Sequence, residues 1–217
     1  MRPTRLVVVV GTGTDVGKTW VSARLLADLR AEGVSVAARK PAQSFAAGDD
    51  PADLDAAVLG RASGETAEVV CPAHRWYEVA MAPPMAAELL GRPAFKVADL
   101  VAELAWSNEA VEIGLVEGAG GVRSPLADDG DAVALCRALA PDVVLLVAEA
   151  GLGTINSVRL TVGVLPMNVI VILNRFDGSD GVHVRNRQWL VERDGLAVVA
   201  LPGEESRLVA LVRGGSE

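Results

Sequence analysis

The feature that most constrains this chain is a run of apolar residues followed at once by a glycine-rich turn. Residues 6–10 read Leu-Val-Val-Val-Val, and residues 11–19 read Gly-Thr-Gly-Thr-Asp-Val-Gly-Lys-Thr. The apolar run predicts a fully buried strand, and the helical pattern that begins at Lys18 leaves the turn between strand and helix. Backbone N–H groups freed by glycine can surround phosphate oxygens, and the helix N-terminus adds partial positive charge. The segment therefore predicts a phosphate-binding loop.

Two side chains of this loop suit a nucleoside triphosphate. Lys18 is placed to reach the β- and γ-phosphates, and the Thr19 hydroxyl is placed to ligate Mg²⁺. The usual pattern has Gly five positions before Gly17, where this chain has Thr12, so the motif is a variant. A ligand-free turn rich in Gly and Thr is the alternative. It is disfavoured because Gly-Lys-Thr stands at the head of a helix behind a buried strand.

Other apolar segments extend this pattern into one α/β fold. Of the 217 residues, 51% are apolar, and we expect residues 1–217 to form a single domain with a sizeable core. Residues 143–147 and 169–173 are apolar throughout, as parallel strands covered on both faces are. Alternating strands and helices with right-handed crossovers predict a doubly wound, mostly parallel sheet with helices on both faces. The loops after the strands then form a cleft at one edge.

The same patterns give the other elements in chain order. Further strands are expected at residues 34–40, 111–116 and 197–201. Helices are expected at residues 20–30, from near 53, after 83, at 97–106, at 133–139, from 151 to about 165, at 183–192 and in the tail after 203.

Charge and hydropathy argue against two kinds of partner. The formal net charge is −8, and no block of Lys or Arg is long enough to follow a nucleic-acid backbone. The longest apolar runs fall short of the roughly 20 residues that span a bilayer, and the N-terminus has no signal-peptide pattern. We therefore expect a soluble, cytoplasmic chain that binds neither nucleic acid nor membrane. Cys71 and Cys136 lack metal-ligand spacing and are expected to be buried free thiols.

A lysine stands at the carboxyl end of the second strand, in Lys40-Pro-Ala-Gln-Ser44. Ligands bind at that edge of an open parallel sheet, so Lys40 is a candidate site residue; the alternative is a solvated charge at a strand end. The loop and helix that follow carry four carboxylates, each able to hold Mg²⁺ or to cap the helix. Spacing does not choose among Asp49, Asp50, Asp53 and Asp55.

Later turns are expected at the same edge. Glu117 ends a buried strand and precedes Gly-Ala-Gly-Gly, which is typical of a second Mg²⁺ ligand, although a carboxylate that caps the glycine turn has the same pattern. Residues 151–156 form a further turn that opens a helix. Asn174 follows the strand 169–173, where its amide can read a purine edge or hold a turn.

Taken in order, five motifs of this chain resemble the dethiobiotin synthetase family. They are Gly11-Thr-x-Thr-x-x-Gly-Lys-Thr19, Lys40-Pro-x-x-Ser44, Glu117-Gly-Ala-Gly-Gly121, Gly151-Leu-Gly-x-Ile-Asn156 and Asn174 after the penultimate strand. Each glycine motif is weak alone. Their occurrence in the same order across nearly the whole chain makes the resemblance specific.

The resemblance implies an ATP-dependent ligase of biotin synthesis. In the family reaction an amine of 7,8-diaminononanoate captures CO₂ as a carbamate, the γ-phosphate moves to a carbamate oxygen, and the second amine expels phosphate to close a cyclic urea. Positioning and charge neutralisation carry most of such catalysis. By position in the motifs, Lys18 would hold the transferring phosphate, and Lys40 would stabilise the carbamate and transition-state oxygens. Both lysines are therefore candidate catalytic residues.

The resemblance also implies the remaining site residues. Mg²⁺ would be held by Thr19, Asp55 and Glu117, with Asp55 chosen because Asp55-Ala-x-x-Leu59 matches the family's helix start. Substrate would contact Ser44, Gly120, Gly151 and Asn156, and a homodimer is implied because the family's 151–156 segment lies near the two-fold axis. ATP would contact Thr14, Asp15, Val16, Gly17, Lys18, Thr19, Trp20, Asp55, Glu117, Gly118, Ala119, Gly120, Asn174, Arg175, Pro202 and Gly203.

The chain departs from the family in two places. Residues 82–84 read Ala-Pro-Pro where many members have Ser-Pro-His, which puts a polar contribution from that loop in doubt. The tail after Leu201 is short, so the adenine contacts and the nucleotide selectivity are less well defined. Neither departure touches the phosphate-binding loop.

Other functional classes compete with this interpretation. A ParA/MinD-like switch ATPase, which acts by binding a partner, usually has a signature lysine where this chain has Gly13. A cobyrinate-type amidoligase normally carries a glutaminase domain, for which we expect no room in 217 residues. A non-catalytic homologue is disfavoured because the chain retains Lys18, Thr19, Lys40 and Glu117 together.

Overall fold

The computed structural model of this chain describes residues 1–107, 110–165 and 168–215. Its strands are β1 (Arg5–Gly11), β2 (Val36–Arg39), β3 (Gln43–Ser44), β4 (Trp76–Tyr77), β5 (Ile113–Glu117), β6 (Pro125–Ala127), β7 (Gly130–Asp131), β8 (Val143–Glu149), β9 (Val169–Asn174) and β10 (Ala197–Ala200). Its helices are α1 (Lys18–Ala31), α2 (Asp55–Ser63), α3 (Ala67–Val70), α4 (Pro83–Leu89), α5 (Val97–Ala102), α6 (Ala132–Leu139), α7 (Thr154–Val162), α8 (Gly181–Glu192) and α9 (Glu205–Val212). In this part of the chain, none of the helices combines the length and the apolar character of a membrane span.

A central parallel sheet organises the described residues. Six strands lie in the order β10-β9-β8-β1-β5-β2, and Val7 of β1 pairs with Leu115 of β5 and Val143 of β8. Because the strands are parallel, their carboxyl ends share one edge of the sheet. The chain adds β2 and β5 on one side of β1, then β8, β9 and β10 on the other. The loop after β1 therefore lies at the point where open α/β sheets bind ligands.

Alternate valines of β1 enter two different core layers. Val8 and Val10 pack in the layer formed with helices α4 to α8, whereas Val7 and Val9 pack in the layer formed with α1, α2, α3 and α9. All four side chains are almost completely buried. Since helices cover both faces of the sheet, the predicted doubly wound, mostly parallel α/β fold is confirmed.

One predicted helix is shorter than expected. The pattern at 97–106 predicts a helix over that whole range, but α5 ends at Ala102. Beyond it, the Ala105 carbonyl accepts a hydrogen bond of 2.5 Å from Nε of Arg39, and the Trp106 ring lies 4.9 Å from the Arg39 guanidinium. The chain leaves the helix to make these contacts with β2, so the prediction for 103–106 was wrong.

Other boundaries differ by a few residues, among them the start of α2 and both ends of α7. A short 3₁₀ turn at Pro51–Asp53 precedes α2, and Asp50 caps this turn by accepting from the Ala52 N–H. Leu54 is extended and separates the turn from α2, which begins at Asp55. The helix expected from 151 to about 165 begins at Thr154 and ends at Val162. Both cysteines are buried free thiols, as predicted, and burial raises the pKa of each to about 12.

Candidate active site

The turn between β1 and α1 has the form of a phosphate-binding loop. Gly17, just before α1, has φ of +92°, and any side chain on it would collide with the Asn174 amide. Lys18 folds back over the loop and donates a 3.0 Å hydrogen bond from Nζ to the Gly13 carbonyl. Burial lowers the pKa of the Lys18 ammonium below its ordinary value of 10.5, and the positive charge of Lys40 lowers it further. The loop therefore holds a desolvated cation at the head of a helix.

Lys40 lies in the same site, at the carboxyl end of β2, and is only 2% exposed. Its Nζ lies 2.6 Å from Oδ2 of Asp55 and 2.8 Å from Oε1 of Glu117, and it also donates to the Gly118 carbonyl at 3.1 Å. Burial alone would lower the pKa of this ammonium, but the two carboxylates outweigh burial and raise it above 10.5. The two carboxylates therefore favour the charged form of Lys40. Because the side chain is buried, the alternative of a solvated charge at a strand end was wrong.

The two carboxylates beside Lys40 also contact α1. The Thr19 hydroxyl lies 2.7 Å from Oδ1 of Asp55 and 2.8 Å from Oε1 of Glu117, and its single proton can serve one of them at a time. Ser22, one turn further along α1, donates to Oε2 of the fully buried Glu117 at 2.7 Å. Burial would raise the pKa of the Asp55 carboxyl, but the ammonium of Lys40 outweighs it and lowers that pKa below 3.8.

Of these residues, Lys18, Thr19, Lys40 and Asp55 line a cavity of about 870 Å³ at the carboxyl edge of the sheet. The cavity is lined by residues of the β1–α1 loop, of the segment after β2, of the loop before α4 and of the turn after β5. Of the residues singled out from the sequence, its wall contains Thr14, Asp15, Gly17, Lys18, Thr19, Lys40, Ser44, Asp49, Asp55, Ala119, Gly120 and Arg175. An oxyanion in this cavity would meet two lysines and the head of α1.

Comparison with known proteins identifies the family. A family model described as an AAA domain matches residues 5–205. ATP-dependent dethiobiotin synthetase BioD of Rhodococcus jostii is 45% identical over 162 residues, which cover 74% of this chain and 67% of that protein. The protein of the same name from Haloferax mediterranei is 37% identical over 202 residues, 89% of this chain and 82% of its own. The chain belongs to the dethiobiotin synthetase family.

Solved structures support the fold of this dethiobiotin synthetase family member and nothing beyond it. The signal recognition particle receptor FtsY of Elizabethkingia anophelis superposes with a TM-score of 0.54 at 15% identity, covering 91% of this chain and 58% of that one. Chloroplast FtsY of Physcomitrella patens gives 0.50 at 22% identity with the same coverage. At such low identity the similarity concerns the arrangement of strands and helices alone.

Several residues that the resemblance assigns to the site lie outside the described cavity wall. Asn174 is buried and its Nδ2 donates to the Val16 carbonyl at 2.9 Å, so the amide holds the phosphate-binding loop to the end of β9. Trp20 is 46% exposed on α1. The wall as described also omits Val16, Glu117, Gly118, Gly151, Asn156, Pro202 and Gly203. Their roles in the dethiobiotin synthetase reaction stay predictions.

The oxygen atoms around Lys40 fit a magnesium site that is completed by a ligand. The Thr19 hydroxyl and the Asp55 and Glu117 carboxylates are hard oxygen donors that already converge on one another. Within the described residues no group of three or more His, Cys, Asp or Glu side chains could hold a metal ion by itself. Mg²⁺ commonly takes one or two carboxylates together with substrate phosphates, so this donor set fits a cation that arrives with a nucleotide.

Two polar residues of the site went unnoticed in the sequence. Ser22 follows Thr19 by three residues, which puts both hydroxyls on one face of α1, so helical spacing gave a usable signal for it. Gln43 is 3% exposed and lies in the cavity wall between Lys40 and Ser44. Nothing in its sequence position distinguishes it from a solvent-exposed glutamine.

Proposed function

We propose that this chain is an ATP-dependent dethiobiotin synthetase that closes the cyclic urea of dethiobiotin on 7,8-diaminononanoate, with CO₂ and ATP as co-substrates. The observation that carries the proposal is the buried Lys40 ammonium, which lines the same cavity as Lys18 at the head of α1. The names of the relatives, with 37–45% identity over most of the chain, support the same activity. They do not favour a ParA/MinD-like switch ATPase.

In the proposed reaction each lysine neutralises a different anion. One amine of the diamine attacks CO₂ and loses a proton, which gives a carbamate. The γ-phosphate is then transferred from ATP to a carbamate oxygen, with ADP as the leaving group, and the second amine attacks the carbonyl carbon and expels phosphate. Lys18 would neutralise the phosphate oxygens during transfer, and Lys40 would neutralise the carbamate. Both lysines are buried, so their charges act in a site with little water to screen them.

We propose Thr19, Asp55 and Glu117 as the residues that would hold Mg²⁺. Their oxygen donors suit this hard cation, and the nucleotide would supply its other ligands. Bound there, Mg²⁺ would supply neutralisation of charge on the transferring phosphoryl group. The chain's own contribution is to hold the two carboxylates close to Lys40 and to the hydroxyls of α1.

The remaining assignments belong to the same proposal. Ser44 and Gly120 would contact the diamine, Gly151 and Asn156 would close the substrate site of a partner subunit in a homodimer, and the whole chain would act as one domain in the cytoplasm. The proposed nucleotide contacts are Thr14, Asp15, Val16, Gly17, Trp20, Gly118, Ala119, Asn174, Arg175, Pro202 and Gly203. Ser44 lies in the cavity wall and its buried Oγ has no hydrogen-bond partner, which supports a role for this residue near the substrate.

A direct assay tests the proposal. The protein is incubated with MgATP, bicarbonate and 7,8-diaminononanoate, and the product is analysed by mass spectrometry. We expect a ring-closed product together with phosphate release that requires the diamine. Phosphate release that is independent of the diamine, without a ring-closed product, would contradict a synthetase and favour a different use of ATP.

A further inference from the structure

The side chain of Gln43 is held in one orientation by α2. Its Oε1 accepts a 3.0 Å hydrogen bond from the backbone N–H of Ala56 in the first turn of that helix. The residue before α2, Leu54, provides no side-chain cap, so the Gln43 oxygen satisfies an N–H that the helix itself leaves unpaired. Because the amide oxygen accepts from this N–H, the NH₂ group of the same amide must point away from Ala56.

That NH₂ group has no partner in the structure. Gln43 lies in the cavity wall and is only 3% exposed. Its Nε2 is buried and makes no hydrogen bond. Leaving a buried donor unpaired is unfavourable, and such a group in a folded protein calls for an explanation. A ligand acceptor atom would satisfy it only by packing against this wall closely enough to reach a group with so little accessible surface.

The surroundings of Gln43 indicate which ligand atom this is. An NH₂ group only donates hydrogen bonds, so it recognises an oxygen and not a protonated amine. Ala56, which holds the Gln43 oxygen, directly follows Asp55, and Asp55 contacts the ammonium of Lys40 at 2.6 Å. Gln43 therefore belongs to the same part of the wall as Lys40. In the proposed function, Lys40 faces the carbamate, and the reacting end of the diamine has no oxygen until CO₂ is captured.

We propose that Gln43 is a substrate-binding residue whose NH₂ group donates a hydrogen bond to a carbamate oxygen, so that it recognises the captured CO₂ unit. This inference rests on the proposed function and deepens it. Oxygens of the nucleotide, above all its phosphates, and the distant carboxylate of the diamine are competing acceptors in the reaction. Each of them predicts a different pattern of defects.

Two substitutions separate donation by Nε2 from the structural bond to Ala56. Gln43→Glu keeps an oxygen for the Ala56 N–H but removes the donor and adds a charge. Gln43→Met removes the donor without adding a charge, and it also removes the oxygen. Three quantities are measured for each: the dissociation constant of MgATP, the dissociation constant of the diamine in bicarbonate-free buffer, and kcat/KM for bicarbonate. Thermal melting confirms that each variant is folded.

We expect kcat/KM for bicarbonate to fall about tenfold in both variants, as the loss of one hydrogen bond to a charged group predicts. Both dissociation constants should stay within about twofold of the wild-type values. A defect in Gln43→Met alone would assign the effect to the bond with Ala56, and a defect in Gln43→Glu alone would assign it to the added charge. Either result overturns the proposal.

The remaining outcomes also test the proposed role of Gln43. Weaker MgATP binding in both variants would make phosphate the acceptor, and weaker diamine binding without bicarbonate would make the carboxylate the acceptor. Unchanged kinetics in both would leave Gln43 without a role in binding. Each of these overturns the inference while the wild-type protein still makes the ring-closed product. Absence of that product from the wild-type protein would instead be a failure of the proposed function.

Discussion

The ammonium of Lys40 is balanced by the carboxylates of Asp55 and Glu117, so we expect its removal to affect both catalysis and the stability of the fold. Lys40→Ala should lower turnover about 10²-fold or more, because the positive charge that would stabilise the developing anion is lost. MgATP affinity should change little, since Lys18 and the loop backbone remain. The kinetic constants and the MgATP dissociation constant measure this directly.

The same substitution has a structural cost that must be measured separately. It leaves two carboxylates without their cation, which should lower the free energy of unfolding by about 3–5 kcal/mol. Lys96→Ala is the matched control, because Lys96 is exposed and outside the described cavity wall. Wild-type turnover in folded Lys40→Ala protein would remove the catalytic role of Lys40.

Glu117 offers a second test at the scale of one residue. Its carboxylate accepts from Ser22 and lies within 2.8 Å of both Thr19 and Lys40. Glu117→Gln keeps the shape but removes the charge, so the Mg²⁺ concentration that gives half-maximal activity should rise about tenfold, the factor expected for about 1.4 kcal/mol of lost cation binding. The measurement is a Mg²⁺ titration at fixed ATP. Glu68→Gln, at an exposed position of α3, should leave the titration unchanged, and an unaltered titration in Glu117→Gln would count against the magnesium assignment.

Single residues differ in how far the sequence alone could place them. Lys18 and Thr19 follow from a local motif whose geometry is set by a strand, a glycine turn and a helix. The choice among the aspartates before and within α2 could not be made from spacing, because a carboxylate that caps a helix and one that holds a cation have the same sequence pattern. In the structure Asp49 accepts from the Ala46 N–H, whereas Asp55 contacts Lys40. Only the folding of β2 against α2 brings that difference about.

Elements of the fold were predictable where one face or both faces are apolar. Strands β1, β8 and β9 follow from uninterrupted apolar runs, and α1 follows from its helical spacing. The short strands β3 and β4 could not be predicted from such a run, because each has only two residues and is defined by its pairing with the other. The early end of α5 is of the same kind, since distant residues hold the chain at Ala105 and Trp106.

The packing of Trp106 against β5 gives a prediction at the scale of elements. A methyl group on Gly114 would collide with Pro3 and would lie 2.8 Å from the Trp106 ring. Gly114→Ala should therefore lower the free energy of unfolding by about 1–3 kcal/mol, the usual cost of overpacking. Guanidinium unfolding measures the change.

A matched glycine provides the control for this substitution. Gly181, at the start of α8, has open space where a methyl group would go, so Gly181→Ala should leave stability unchanged or raise it slightly. Gly114 is the second residue of β5, at the end of the strand away from Glu117. A stable Gly114→Ala protein would show that the Trp106 contact is loosely packed.

At the scale of the whole molecule, the topology assembles the site from distant parts of the sequence. The alternation of strands and helices was enough to predict that the loops after β1, β2 and β5 share one edge. The strand order was not predictable from the pattern, because it depends on which strands pair across the sheet. That order inserts β5 between β1 and β2, which brings Glu117 close to both Thr19 and Lys40.

The two cysteines report on whether this molecule unfolds as one unit. Cys136 lies in the core layer with helices α4 to α8, and Cys71 lies in the layer with α1, α2, α3 and α9. Burial raises the pKa of both thiols to about 12, so the reactive thiolate form is disfavoured at pH 8. Reaction with a disulfide reagent should therefore require opening of the fold.

If the chain unfolds as one domain, the labelling rates of both thiols should give the same opening free energy at each guanidinium concentration. Peptide mass mapping distinguishes the two labelled cysteines. MgATP at about 100 times its dissociation constant should add about 2.7 kcal/mol to both values, because the nucleotide binds only the folded state. Faster labelling of one thiol would show that one layer opens alone. If MgATP protected only Cys71, nucleotide binding would stabilise only the layer that contains α1, the helix that directly follows the phosphate-binding loop.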